Sequence, residues 1–111
     1  MRFLIPIRLP SLSNTRMHWS RMASVKKKQK TATKAVISNA RTPPIPAPPL
    51  LVTITRIGPR RLDDDNLASA CKYVRDAIAD KVGVDDGSPL YTWRYEQRIG
   101  KYGVDVEITE R

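Results

Sequence analysis

Apolar and polar positions alternate through "LLVTITRI" (residues 50–57), and the apolar members are β-branched or Leu. That pattern predicts a strand with one buried face. In "DDNLASACKYVRDAIADKV" (64–82) the spacing changes to three and four. Leu67, Ala70, Cys71, Val74, Ala77, Ile78 and Val82 then fall on one stripe of a single helix. Alternation returns in "LYTWRYEQRI" (90–99) and "VDVEIT" (104–109), and "GKYG" between them reads as the turn of a hairpin. Near the start, "RFLIPIRL" reads as a strand, with Pro6 marking an edge or a bulge. Residues 20–40 read as a strongly basic helix with Met22, Val25, Ala32, Ala35 and Val36 inward. Five prolines in residues 43–49 exclude helix and central strand, so 42–49 reads as a stiff connector inside the domain. The predicted order is β-α-β-α-β-β. That is an α/β (α+β) fold with a mixed sheet and two helices, one domain over residues 1–111.

Composition adds a partner class. The net charge is +9, and residues 1–61 hold 13 Lys and Arg with no Asp or Glu. A small chain with that field attracts polyanions, nucleic acid first. Arg16, Lys26, Lys27, Lys28 and Lys30 are candidates to line its approach, against the alternative of a solvated helix face. Trp19 and Trp93 fit core or interface positions better than base stacking. No apolar run approaches the roughly 20 residues of a membrane helix. The opening "MRFLIPIRLP" is too interrupted by Pro and Arg for a signal peptide, so a cytoplasmic location is expected. The single Cys71 leaves no disulfide framework and sits on the apolar stripe as a small core residue.

Against this basic background the first acids of the chain arrive together, in "RRLDDDN" (60–66). A helix cap and the helix dipole account for one or two carboxylates. Three in a row, with Asp85 and Asp86 past the far end of the helix, ask for more. From Asp65 a polar stripe runs through Ser69, Lys72 and Asp76, at helical offsets of 4, 7 and 11. Clustered carboxylates raise one another's pKa unless something neutralises them. A hard divalent cation does so, and Mg²⁺ takes a few carboxylates with waters and phosphate oxygens. A calcium loop is excluded because Ala68 stands where its sixth position needs Gly. The lone His18 excludes a zinc constellation.

The stretch "RRLDDDNLASACKYVRDAIADKVGVDD" resembles the RusA family of Holliday junction resolvases, small dimeric endonucleases of bacteria and phages. The matching elements are an aspartate pair in D-x-D-N (Asp63, Asp65, Asn66), a lysine in the following helix (Lys72), and an acid pair at the helix exit (Asp85, Asp86). The loop "LPSLSNTRMHW" is similar to the family's loop after its first strand. The resemblance implies Mg²⁺, with Mn²⁺ as a substitute, held by Asp63, Asp65 and Asp86, and Lys72 as a catalytic cation. Asn66 and Asp85 would orient the ligands, and Arg60 and Arg61 would clamp phosphates. It implies a homodimer that cuts four-way DNA junctions by paired, symmetric phosphodiester hydrolysis in recombination and repair. The lysine stands farther from the "DN" than in the family's usual form. Three extra helical residues rotate it by about 300°, which returns it near its original face. Two other readings stay open: a nuclease for other branched DNA, and a basic nucleic-acid-binding protein without catalysis.

Overall fold

The chain is described from a computed structural model, covering residues 1–10, 19–39 and 45–111. Arg16, His18 and residues 42–44 of the connector lie outside the described residues, as does the side chain of Trp19.

The alternating run at 50–57 forms β2 (Leu50–Gly58), the strand that organises the sheet. On one side it pairs in parallel with β3 (Tyr91–Ile99), from Leu50↔Tyr91 to Gly58↔Ile99. On the other it pairs antiparallel with β4 (Gly103–Glu110), from Leu50↔Glu110 to Ile57↔Gly103. β1 (Arg2–Ile5) lies antiparallel on the outer edge of β4, giving the order β1-β4-β2-β3. The sheet is mixed, as expected, and β1 ends just before Pro6 on an edge, where a missing N–H costs no ladder bond.

The hairpin expected at "GKYG" is absent. β3 and β4 are not neighbours, because β2 lies between them. Gly100 donates its N–H to the Gly58 carbonyl at 3.0 Å, and the link wraps the end of β2. A side chain at Gly100 would meet Ile57 at 3.1 Å, so Ile57 would have to give way by a few tenths of an ångström. Short spacing suggested a turn between neighbours. The helical crossover instead commits β3 to one edge of β2 and leaves the other edge for β4.

α1 (Trp19–Asn39) occupies the predicted basic stretch. Its fully inward line is Gln29, Thr33 and Ile37, with Met22, Val25, Ala32 and Val36 half-buried beside it. Ala35, expected inside, is exposed. Hydropathy misplaced this face because two of its three central residues are polar. Thr33 meets its need locally by donating to the Gln29 carbonyl at 2.8 Å.

The single helix expected over 64–82 is divided into α2 (Asp64–Ala70) and α3 (Lys72–Val82), so there are three helices rather than two. Cys71 sits between them at φ −86°, ψ −3°, and its N–H is shared by the Leu67 and Ala68 carbonyls at 3.2 and 3.3 Å. Arg75 N–H then resumes the helical ladder to Cys71 O at 3.0 Å. The stripe keeps its phase across the break. Leu67, Ala70, Cys71, Val74, Ala77 and Ile78 are all buried, and Val82 packs at the margin.

These residues close a core against Leu50, Val52 and Ile54 of β2 and Val104, Val106 and Ile108 of β4. Each fully buried aliphatic side chain contributes roughly 1.5–3 kcal/mol. The other sheet face carries Leu51, Thr53 and Thr55 among charged side chains, including an Arg2–Asp105 ion pair at 2.6 Å. No helix among the described residues is long and apolar enough to cross a membrane.

Candidate active site

Gly58 ends β2, and the chain must turn before α2. That turn, Pro59–Leu62, is held by two side chains from the sheet. Arg56 stands on the inward-facing phase of β2 and is only 5% exposed. A charge there needs partners, and its guanidinium donates to the Leu9 carbonyl at 2.8 Å and the Arg60 carbonyl at 2.7 Å. Gln97 of β3 clasps Leu62 twice. Its Oε1 accepts from Leu62 N–H at 2.9 Å, and its Nε2 donates to Leu62 O at 2.7 Å. The aspartates therefore start from a fixed point.

Asp63 is the N-cap of α2, with extended backbone (φ −69°, ψ 166°), and its Oδ1 accepts from Asn66 N–H at 3.1 Å. This cap occupies one oxygen of Asp63 and leaves the other open. Asp64 and Asp65 follow in the first turn, where the helix dipole favours them. All three are exposed, and among the described residues none forms an ion pair. Arg60 and Arg61 are exposed immediately before them.

A second acidic group lies at the far end of α3. Asp76, Asp80, Asp85 and Asp86, with Ala79, Gly83 and Val84, border a cavity of about 410 Å³. Gly83 turns the chain here with φ 84°, a left-handed conformation that suits glycine, and its N–H donates to Ala79 O at 2.9 Å. These acids are largely answered by cations. Asp80 Oδ2 lies 3.0 Å from both Lys30 Nζ and Lys34 Nζ of α1, and these lysines pull its carboxyl below the usual range. Arg75 Nε lies 3.0 Å from Asp86 Oδ2, and Arg75 Nη2 donates to the Asp86 carbonyl at 3.0 Å. Trp93 Nε1 donates to the same carbonyl at 2.9 Å, while the Arg75 guanidinium lies 4.9 Å over the Trp93 ring. Asp85 Oδ2 accepts from Gly87 N–H at 3.1 Å and shapes the turn. Asp76 is the exception. Burial, then repulsion from Asp86, pushes its carboxyl above the ordinary value, against the pull of Lys30, Lys72 and Lys26.

The site residues named from sequence thus fall into two places. Asp63, Asp65, Asn66, Arg60 and Arg61 gather where α2 begins. Asp85 and Asp86 sit beyond α3, beside the start of β3 at the opposite end of the sheet. Asp76 stands eleven positions after Asp65, about 16 Å along a helical axis. Lys72 is exposed between the two groups and acts electrostatically on Asp76. Lys26, Lys27 and Lys28 are exposed on α1, whereas Lys30 is half-buried in its pair with Asp80. Arg56, Arg75 and Gln97 escaped the sequence reading, in which Asp76 stood only as the end of the polar stripe from Asp65. Arg56 and Gln97 carried a signal, as polar side chains on the core-facing phases of β2 and β3.

For Mg²⁺ the donor chemistry fits at the α2 end, where Asp63 and Asp65 offer hard carboxylate oxygens with room for waters and a phosphate. Asp86 does not join them within one chain. Among the described residues no three acidic, His or Cys side chains converge on one point. No protein family and no curated protein matches the sequence.

Proposed function

We propose that the chain is a Mg²⁺-dependent endonuclease of RusA type that acts as a homodimer on four-way DNA junctions. One observation carries the reading. In a chain of net charge +9, three exposed aspartates stand beside two exposed arginines on a rigidly anchored turn, with no ion-pair partner among the described residues. Bare, they would repel DNA; loaded with a cation, they would hold it.

In this reading Arg60 and Arg61 grip backbone phosphates ahead of the helix, and Lys26, Lys27 and Lys28 extend the contact along α1. Asp63 and Asp65 hold the cation, which when bound polarises the scissile phosphodiester and activates water. Lys72 offsets negative charge on the phosphate. Asp86 lies at the opposite end of the sheet from its own Asp63 and Asp65. Its part in the site therefore calls for the second copy that the homodimer supplies. Recognition rests on backbone and shape, so little base readout is required.

The test is cleavage of a labelled four-way junction and a matched linear duplex, in Mg²⁺ or EDTA, with wild type and Asp65→Asn. Paired cuts confined to the junction, dependent on metal and lost in the variant, support the reading. Tight junction binding with no cutting in Mg²⁺ or Mn²⁺ would sink it and leave a non-catalytic DNA-binding protein.

A further inference from the structure

A cleft of about 540 Å³ runs between the tail of β1 and the first half of α1. Pro6, Ile7, Pro10 and Val25 give it apolar walls, and Arg8, Arg21 and Lys28 are exposed cations on its border. Gln29 forms part of its wall while remaining only 3% exposed, and among the described residues Gln29 Oε1 has no hydrogen-bond partner. A buried amide oxygen without a partner is costly to a fold, and a ligand that bonded it would recover that cost. The end of an amide side chain turns readily about its last torsion, so Gln29 can present this acceptor to the cleft.

We propose that the cleft receives an unpaired nucleotide of a DNA strand: apolar walls against the base, Gln29 Oε1 accepting from a base N–H, and the three cations on the flanking phosphates. Volume and chemistry agree, since pockets for ligands of that size run from about 300 to 1,000 Å³ and unpaired bases are held by flat or apolar contacts with cations at the backbone. The cleft is also tied to the turn that precedes the aspartates. The Arg56 guanidinium binds Leu9 O and Arg60 O together, so the tail that forms the cleft and the turn that leads to Asp63 hang from one side chain. Arg8 continues the surface outward by lying 4.8 Å over the ring of Tyr102, which is 44% exposed. The assignment rests on the nucleic-acid part of the reading above, but not on catalysis.

The test uses the full chain in EDTA at low salt, so that binding is read without cutting. Two labelled strands of equal length and charge are compared by fluorescence anisotropy, one carrying bases and one abasic throughout. Wild type should bind the base-bearing strand at least tenfold more tightly, and Gln29→Leu should erase that preference while binding to duplex stays within twofold. Should Gln29→Leu not fold, the Gln29 side-chain amide resonance of labelled wild type replaces it, shifting with the base-bearing strand and not with the abasic one. Equal binding of the two strands, a preference that survives Gln29→Leu, or an amide signal indifferent to bases would overturn the proposal. So would displacement by deoxyadenosine monophosphate at concentrations below those the strand itself needs, which would make the cleft a free-nucleotide site. Failure of the nuclease reading would show elsewhere, as absent cutting in Mg²⁺ with strand binding intact.

Discussion

Asp63 has two jobs in the proposed site, and they can be separated by substitution. As N-cap it accepts one hydrogen bond from Asn66 N–H at 3.1 Å, at an exposed position. As a metal ligand it contributes charge. Asn serves the first role about as well as Asp and cannot serve the second, whereas Ala serves neither. Replacing an N-cap Asp by Ala costs about 1 kcal/mol. Asp63→Asn keeps the cap and gives up only the charge near the helix dipole, about 0.3–1 kcal/mol, partly offset by relief of repulsion from Asp64 and Asp65. For a chain of 111 residues the Ala variant should melt roughly 4 °C below wild type, and the Asn variant within about 2 °C. Junction cleavage in Mg²⁺ should be lost in both. Thermal melts and cleavage rates on the same preparations decide the matter. An Asn variant that cuts at the wild-type rate removes Asp63 from the metal site. An Asn variant as unstable as Ala shows that charge, not the cap bond, is what Asp63 gives the fold.

Three further outcomes follow from buried or constrained groups. Arg56→Met should cost about 2–4 kcal/mol in urea unfolding, because it strips charge-assisted bonds from the Leu9 and Arg60 carbonyls at once; a loss under 1 kcal/mol would mean that water replaces both. Asp76 has a folded pKa raised from 3.8, so the native state binds its proton more tightly and stability falls as pH rises through the window above that value. Asp76→Asn should accordingly be more stable than wild type at pH 7, and the gap should close below about pH 3.8 in pH-dependent denaturation. Burial pushes the Cys71 thiol up to about 12, against the opposing pull of Arg56, so iodoacetamide at pH 8 should label it only after unfolding.

What the sequence revealed follows the physics of burial. The stripe Leu67–Ala70–Cys71–Val74–Ala77–Ile78 was legible because every member is apolar and the break at Cys71 leaves its phase intact. α1 was legible as a helix but not in its orientation, since Gln29 and Thr33 face inward and Ala35 outward. Strand partners were the weakest point. Alternation in 90–99 and 104–109 announces two strands, yet pairing belongs to the whole chain. Nothing in "GKYG" tells that β2 will lie between them. The scaffold of the site was hidden for the same reason: Gln97 shares the inward phase of Tyr91, Trp93 and Tyr95, but its partner Leu62 comes to it only once β3 lies beside β2.

Charge was the most informative signal in the sequence, and the fold sharpens it by sorting the acids. Both ends of α2–α3 carry aspartates, but the protein treats them differently. At the α3 end Asp80 faces two lysines and Asp86 faces Arg75, so most of that charge is answered internally and stabilises the packing of α1 and the start of β3. At the α2 end the carboxylates have two arginines next to them in sequence, yet among the described residues no side-chain cation pairs with them. A fold with 20 Lys and Arg available for pairing has left its most concentrated negative charge open to solvent. Surface ion pairs form easily and contribute little, so failure to form them here costs the fold almost nothing. That low cost leaves the carboxylate oxygens available to an outside cation. The acids to substitute first are therefore Asp63 and Asp65, where loss of charge should be read in function before it is read in stability.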